Sequence, residues 1–328
     1  MTSTLKGVLA TALLATIGLI SNGAFAAEKI NVLIIDGQNN HNWKATTPVI
    51  KEMLLKTGRF NVDVLTSPDK APSEKAEKDK PAPDPQKIAE IKKKLSAEWD
   101  KFRPDFSKYQ VVFSNYNGQA WPADVNKGLE KFVKDGGGLV IYHAANNAFT
   151  SWTEWAKMVG LLWSGPQYGA RITLDDKGKE VRTPKGEGPG AGHGPQHPYE
   201  VVVRDAEHPI TKGLPAKWIH AKDELYQGQR GPAENMHILI TAFADPAMKG
   251  SGTNEPMVWT IPYGKGRVFT NLLGHDQTSV AAPGCAALTV RGTEWAATGA
   301  VTIPAPKEDL NSAPAPAAKP VESKPAAK

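Results

Sequence analysis

Several histidines fall where an apolar run stops. His143 closes GGGLVIYHAA (136–145), and His275 follows RVFTNLLG (267–274). His41 lies in DGQNNHNW (36–43), directly behind the run INVLIID. An imidazole titrates near neutrality, so it serves equally as proton donor, proton acceptor or metal ligand. HAKDELYQ (220–227) adds the adjacent carboxylates Asp223 and Glu224. Such a pair suits general acid–base work or cation binding; the plainer reading is a solvated helix start, where the helix dipole favours acids. Two histidines and a carboxylate could also hold a divalent metal with an open position. His143 and His275 are therefore candidates as acid–base groups or as metal ligands, with Asp223 and Glu224 as their acidic partners. Asp36, Asn39 and Asn117 are polar groups behind other strands and are candidates to hold a substrate. Trp121 and Trp152 could stack on a sugar ring, although tryptophan is more often core.

Other chemistries lack their patterns. No G-x-G-x-x-G, P-loop or G-x-S-x-G segment occurs, which disfavours a nucleotide site and a serine elbow. GHGPQH (192–197) lies in a glycine/proline stretch and not on a helix; it could supply a flexible metal ligand, but the plain surface loop is the favoured reading. Cys285, the single cysteine, follows Pro283-Gly284 with no base beside it, and one cysteine makes no internal disulfide.

Elements must hold these groups in place. KINVLIID (29–36), a helix over 43–58 ending on Gly58, and FNVDVLTS (60–67) form a βαβ unit, hence a parallel sheet with a right-handed crossover. Residues 68–86 are charged and proline-rich and read as an exposed insertion. A short helix, the strand YQVVFSNYNG (109–118), a helix opened by Pro122, and the strand GLVIYHAA continue the pattern. Beyond them come the helix SWTEWAKMVGLLW and the strands YEVVVRD, HILITAF, PMVWTIPYG and KGRVFTNLLGHD, then a closing helix near CAALTVRGTEWAATG. The expected fold is α/β: an open, mostly parallel sheet with an antiparallel edge. Ligands of such sheets collect beyond the carboxyl ends of the strands. His41, Asn117, His143 and His275 would then face one basin.

Residues 1–26 have the form of a signal peptide, with an apolar run from Val8 to Ile20 and an A-x-A site at Ala24–Ala26. That run is shorter than the roughly 20 residues of a bilayer span, so no span is expected after cleavage. The protein is expected to be periplasmic or secreted. Residues 28–303 suffice for one α/β domain, and residues 304–328, rich in proline, alanine and lysine, read as a disordered tail. The net charge of +5 is spread over lysine-rich segments without clustered arginine and aromatic residues, so nucleic acid is not expected as a partner. No pattern specifies an oligomeric state.

Five segments in order carry a resemblance: GGGLVIYHAA (136–145), FTSWTEWAKMVG (149–160), RDAEHPITKGLP (204–215), KDELYQ (222–227) and PMVWTIPYGKGRVFTNLLGHD (256–276). Together the sequence from about Ile30 to Trp295 resembles the ThuA-like, or trehalose-utilisation, family. The resemblance implies a flavodoxin-like sheet with helices on both faces, related to class I glutamine amidotransferases, and a link to carbohydrate metabolism. Its shared polar positions fall on His143, Asp223, Glu224 and His275. Amidotransferases present a cysteine in G-x-C-x-G at the fourth-strand elbow, whereas this chain reads YHAAN there. Without that thiolate, glutamine hydrolysis is not carried over. The expectation is an exported protein acting on a small-molecule sugar in a strand-end crevice, with a divalent metal as an open alternative to acid–base catalysis. A non-catalytic carbohydrate-binding or envelope scaffold domain is the competing reading.

Overall fold

A computed structural model describes residues 28–73 and 84–311. The leader, part of the charged insertion and the tail beyond Asn311 lie outside the described residues. The first βαβ unit consists of β1 (Ile30–Asp36), α1 (Trp43–Lys56) and β2 (Phe60–Thr66). Asn42 caps α1 by accepting from the Ala45 amide, and Gly58, at φ +71°, turns the chain out of the helix. Helix α2 (Pro85–Lys101), strand β3 (Val111–Ser114), helix α3 (Ala123–Lys134) and strand β4 (Gly138–Tyr142) follow, with Pro122 at the N-cap of α3. Helix α4 (Thr153–Val159) stops at Gly160, shorter than its apolar pattern suggests.

The second half is strand-rich. It contains β5 (Arg171–Leu174), β6 (Glu180–Thr183), β7 (Gly192–His193), β8 (His197–Val203), β9 (Lys217–Asp223), β10 (Tyr226–Gln227), β11 (His237–Phe243), β12 (Asn254–Tyr263) and β13 (Gly266–Asn271). Helices α5 (Gln277–Ala281) and α6 (Pro283–Thr298) close the fold. The sheet order is β2-β1-β3-β4-β13-β12-β11-β8-β9. The first five strands are parallel and flavodoxin-like in order. From β13 to β9 every pairing is antiparallel, so the expected antiparallel edge is a four-strand extension. Asp223 and Glu224 thus stand at the end of a strand and not at a helix start. In KWIHAKD, buried Trp218 and His220 alternate with exposed Lys217 and Ile219 as one sheet face, and buried Asp223 falls beyond a register shift against β8.

Strands β3 and β4 are buried along their whole length, as expected of strands covered on both faces. Helices α1, α5 and α6 pack together over β1, β4 and β13, while α3 and α4 cover β13 and β12. Register sets the site. Ile35 pairs with Ser114, Ser114 with Ile141, and Tyr142 with Asn271. The parallel strands therefore end level, and the loops after β1, β3, β4 and β13 emerge side by side.

Residues 304–311, the start of the segment read as a tail, lie against the domain. Leu310, the one large apolar side chain in it, is buried, and Asn311 Oδ1 accepts from the Ile219 amide of β9 at 2.8 Å. The glycines before β4 have a packing cause as well as a helix-stop role. A Cβ on Gly138 would stand 2.5 Å from the backbone of Ala296 in α6. Gly138→Ala should lower the unfolding free energy by about 1–3 kcal/mol through overpacking. Gly165→Ala, with nothing within 4 Å of its new methyl, should be near neutral. Denaturant titration of both variants checks the contrast.

Candidate functional site

His143 is the first residue past β4, and its φ of +44° lies in the left-handed region that a residue bearing Cβ seldom adopts. Such strain persists where surrounding structure holds it, and it clusters at functional sites. The turn swings the chain into a 3-10 segment, His143–Asn147, and leaves the imidazole buried among the strand ends. His143 Nδ1 lies 2.7 Å from the Leu272 carbonyl. A carbonyl only accepts, so Nδ1 carries the hydrogen and the neutral ring keeps its lone pair on Nε2. The Tyr226 hydroxyl is 3.1 Å from that Nε2 and 3.3 Å from His41 Nε2.

Glu224 gathers the remaining groups. Its Oε2 is 3.1 Å from His275 Nδ1 and 3.7 Å from His143 Nε2, while its Oε1 is 3.5 Å from His193 Nε2. His41 stands edge-on to His275 with ring centroids 4.5 Å apart. One ligand atom from each of His41, His143, Glu224 and His275 falls within 4.8 Å of the others. Asn39 builds the loop that presents His41: its Oδ1 accepts from the His41 amide, and its Nδ2 donates to the Asn115 carbonyl. Burial, with His143 and His275 nearby, pushes the His41 imidazole down to about 3. Burial alone would raise the Glu224 carboxyl, but His143 and His275 outweigh it and hold it well below the usual range. The Glu224 carboxylate, acting against burial, raises His275.

Asp223 stands one layer behind. Its Oδ2 accepts from the Gly274 amide at 2.7 Å and from His220 Nε2 at 2.8 Å; its Oδ1 accepts from the amides of Glu224 and His275 at 2.8 and 3.1 Å. Burial works against its charge, yet His220 and these neighbours keep the carboxyl below its ordinary value. Its role is positioning, because it fixes the backbone on both sides of the Glu224–His275 contact. Gly274 is required where it is: at φ +107° a Cβ would come within 2.2 Å of the Tyr142 hydroxyl.

Of the residues expected from the sequence, His41, His143, Glu224 and His275 converge. Asp36 is buried at the end of β1, accepts from Thr66 Oγ1 at 2.7 Å, and has its carboxyl raised by burial; it makes no contact with the cluster. Of the two tryptophans expected to line the crevice, Trp121 belongs to the core, and Trp152 is half-buried against it. Trp121 packs on Phe102, Tyr116 and Phe149, and Trp152 stacks on Trp155. Their loops fold inward because several aromatic side chains near α3 and α4 bury one another. Asn39 and Asn117 do line a crevice of about 540 Å³, together with Gln38, Asn40, Trp43 and Gln119. Asn40 links it to the cluster, with its Nδ2 3.1 Å from His41 Nε2.

His193 and Tyr226 are the additions. His193, read as part of a surface loop, pairs with Tyr226 through the two-residue strands β7 and β10. Pairings that short have no signature in sequence. Half-buried Trp163 completes this wall, its ring 4.8 Å from Tyr226 and 5.7 Å from His193.

The family model described as ThuA, trehalose utilisation, matches residues 86–296. The chain belongs to the ThuA family. Among solved structures, a ThuA-like protein from Parabacteroides merdae is 41% identical, with a TM-score of 0.74 over 85% of this chain and 94% of its own. A ThuA-like protein from Bacteroides uniformis is 17% identical, with a TM-score of 0.49 over 85% of this chain and 95% of its own. A search of curated proteins gave no match. In this ThuA-family chain the fourth-strand elbow carries an imidazole and no thiol. Cys285 is buried 3.4 Å from the Tyr142 hydroxyl, and burial pushes its thiol up to about 12, so it offers no thiolate.

Asp223→Ala would strand three backbone donors, each costing about 1–3 kcal/mol when buried and unpaired. The expected result is a loss of about 3 kcal/mol or more in denaturant unfolding, with faster hydrogen exchange at the Gly274 and His275 amides. Unchanged exchange there would refute the positioning role.

Proposed function

We propose that this ThuA-family protein is an exported enzyme that processes a sugar or sugar derivative at the strand-end cluster. The observation that carries the reading is the union of two features. A half-buried to buried group of three imidazoles and a carboxylate adjoins a crevice lined by amides and an indole, with Lys44, Asp69 and Lys70 beside them. Amide side chains both donate and accept hydrogen bonds, which matches sugar hydroxyls. The indoles of Trp43 and Trp163 offer apolar faces for ring carbons. The carbohydrate context of the family description agrees with this lining.

Within the cluster, His143 commits Nδ1–H to Leu272, which leaves Nε2, 3.1 Å from the Tyr226 hydroxyl, as the nitrogen that would take a proton. His275 beside Glu224 is suited to carry a proton and give it up. The pair can thus take a proton from one sugar oxygen and deliver one to another. The leader at 1–26 supports export, and the missing elbow cysteine argues against glutamine hydrolysis.

A panel of trehalose and other mono- and disaccharides, incubated with the purified chain, tests the reading. Product should form with at least one sugar and fall about 100-fold or more in His143→Ala and in His275→Ala. Tryptophan fluorescence that responds to sugar with no product from any panel member would overturn the enzyme reading in favour of a binding domain. Fractionation of cells expressing the full chain should place it outside the cytoplasm.

A further inference from the structure

We propose that His41, His143, Glu224 and His275 together bind one divalent first-row transition-metal ion. The proposal deepens the sugar-processing reading and rests on the same site. Four donors from four separate segments have ligand atoms within 4.8 Å of one another. Two donors about 2.1 Å from a shared ion stand roughly 3.0–3.4 Å apart at right or tetrahedral angles. The contacts of Glu224 Oε2 with His275 Nδ1 and His143 Nε2, at 3.1 and 3.7 Å, are close to that spacing.

Orientation points the same way. The rings of His41, His143 and His275 meet edge-on, with interplanar angles of 68°, 84° and 85°. His143 has the outer hydrogen bond of a metal-binding histidine: Nδ1–H is held by a backbone carbonyl, which fixes the tautomer and leaves Nε2 to ligate. His275 Nδ1 is buried and faces Glu224 Oε2 at 3.1 Å without aligned hydrogen-bond geometry, a spacing that a cation shared by the two groups would also bridge.

The donor set selects the ion. Magnesium and calcium take oxygen ligands, so three imidazoles disfavour both. Nitrogen and carboxylate donors suit manganese, iron, cobalt, nickel and zinc. Four protein donors fill a tetrahedral zinc site. A site that also receives substrate therefore fits best an ion of five or six coordination, such as Mn²⁺, Fe²⁺, Co²⁺ or Ni²⁺. When bound, the ion would polarise a sugar oxygen as a Lewis acid. The Asp223 hydrogen bonds to the Glu224 and His275 amides, and the Asn39 bond to the His41 amide, hold three of the four donors by their own backbone.

The test uses the untagged full chain, stripped with a chelator and titrated with Mn²⁺, Fe²⁺, Co²⁺, Ni²⁺ and Zn²⁺, with Mg²⁺ and Ca²⁺ as controls. Bound metal is measured by elemental analysis and affinity by calorimetry. One equivalent of at least one transition ion should bind, with no uptake of Mg²⁺ or Ca²⁺. Affinity should fall more than about tenfold in His275→Ala, His41→Ala and Glu224→Gln, and stay unchanged in His237→Ala, an exposed histidine outside the cluster. His41 and His275 are half-buried loop residues, so their variants carry the test if His143→Ala fails to fold. No transition ion bound by the wild-type chain, or equal binding by His41→Ala and His275→Ala, overturns the proposal. Stoichiometry and turnover are read separately. An ion bound through these residues with no product from any sugar overturns the enzyme reading alone. Product from a chain that binds no ion overturns the metal alone.

Discussion

The carboxylate of Asp223 is the joint on which the site depends. It sits at the end of an antiparallel strand and accepts from the amides of Gly274 and His275, which follow a parallel one. The two halves of the sheet grow from different pairing rules, and their side chains would otherwise have no common reference. A buried anion with several donors aimed at it is costly to displace, because every donor would lose its partner away from water. His220 completes the arrangement from the same strand. Glu224 and His275 owe their mutual distance to this neighbour, and His143 joins them through the Leu272 carbonyl just upstream.

The elbow after β4 shows how a fold can keep a position while changing its chemistry. The level ends of the parallel strands place one residue at the centre of the crevice, and the left-handed turn at His143 exposes that residue's side chain to its neighbours. An imidazole there can be a base or a ligand but cannot form a thioester. The only sulfur atom of a cysteine lies beneath, where burial keeps it protonated.

Much of this was legible in the sequence, for reasons that differ by residue. His41, His143 and His275 announce themselves because apolar runs end on or near them and parallel strands end together. Asp223 and Glu224 were legible as a pair but not in their division of labour. Adjacent residues at a strand end point to opposite sides, so one enters the site and the other the core. Trp121 took the commoner of its two readings, because Phe102, Tyr116 and Phe149 pack over a loop residue that sequence alone leaves open. His193 was hidden in a glycine-rich excursion whose course is set by tertiary contacts. Arg230, for instance, donates to the carbonyls of Glu187 and Pro189 and holds that excursion down.

The segment ending at Asn311 bears on how the molecule meets its neighbours. Strand β9 is an edge of the sheet, and an open edge is a template on which a second chain can pair. The Asn311 side chain occupies the Ile219 amide, and buried Leu310 anchors the segment that delivers it. These few residues act as a stopper against growth of the sheet from one molecule into the next. The strand so guarded is the one that ends in Asp223, so an intruding strand would reach the site's joint before it reached the site.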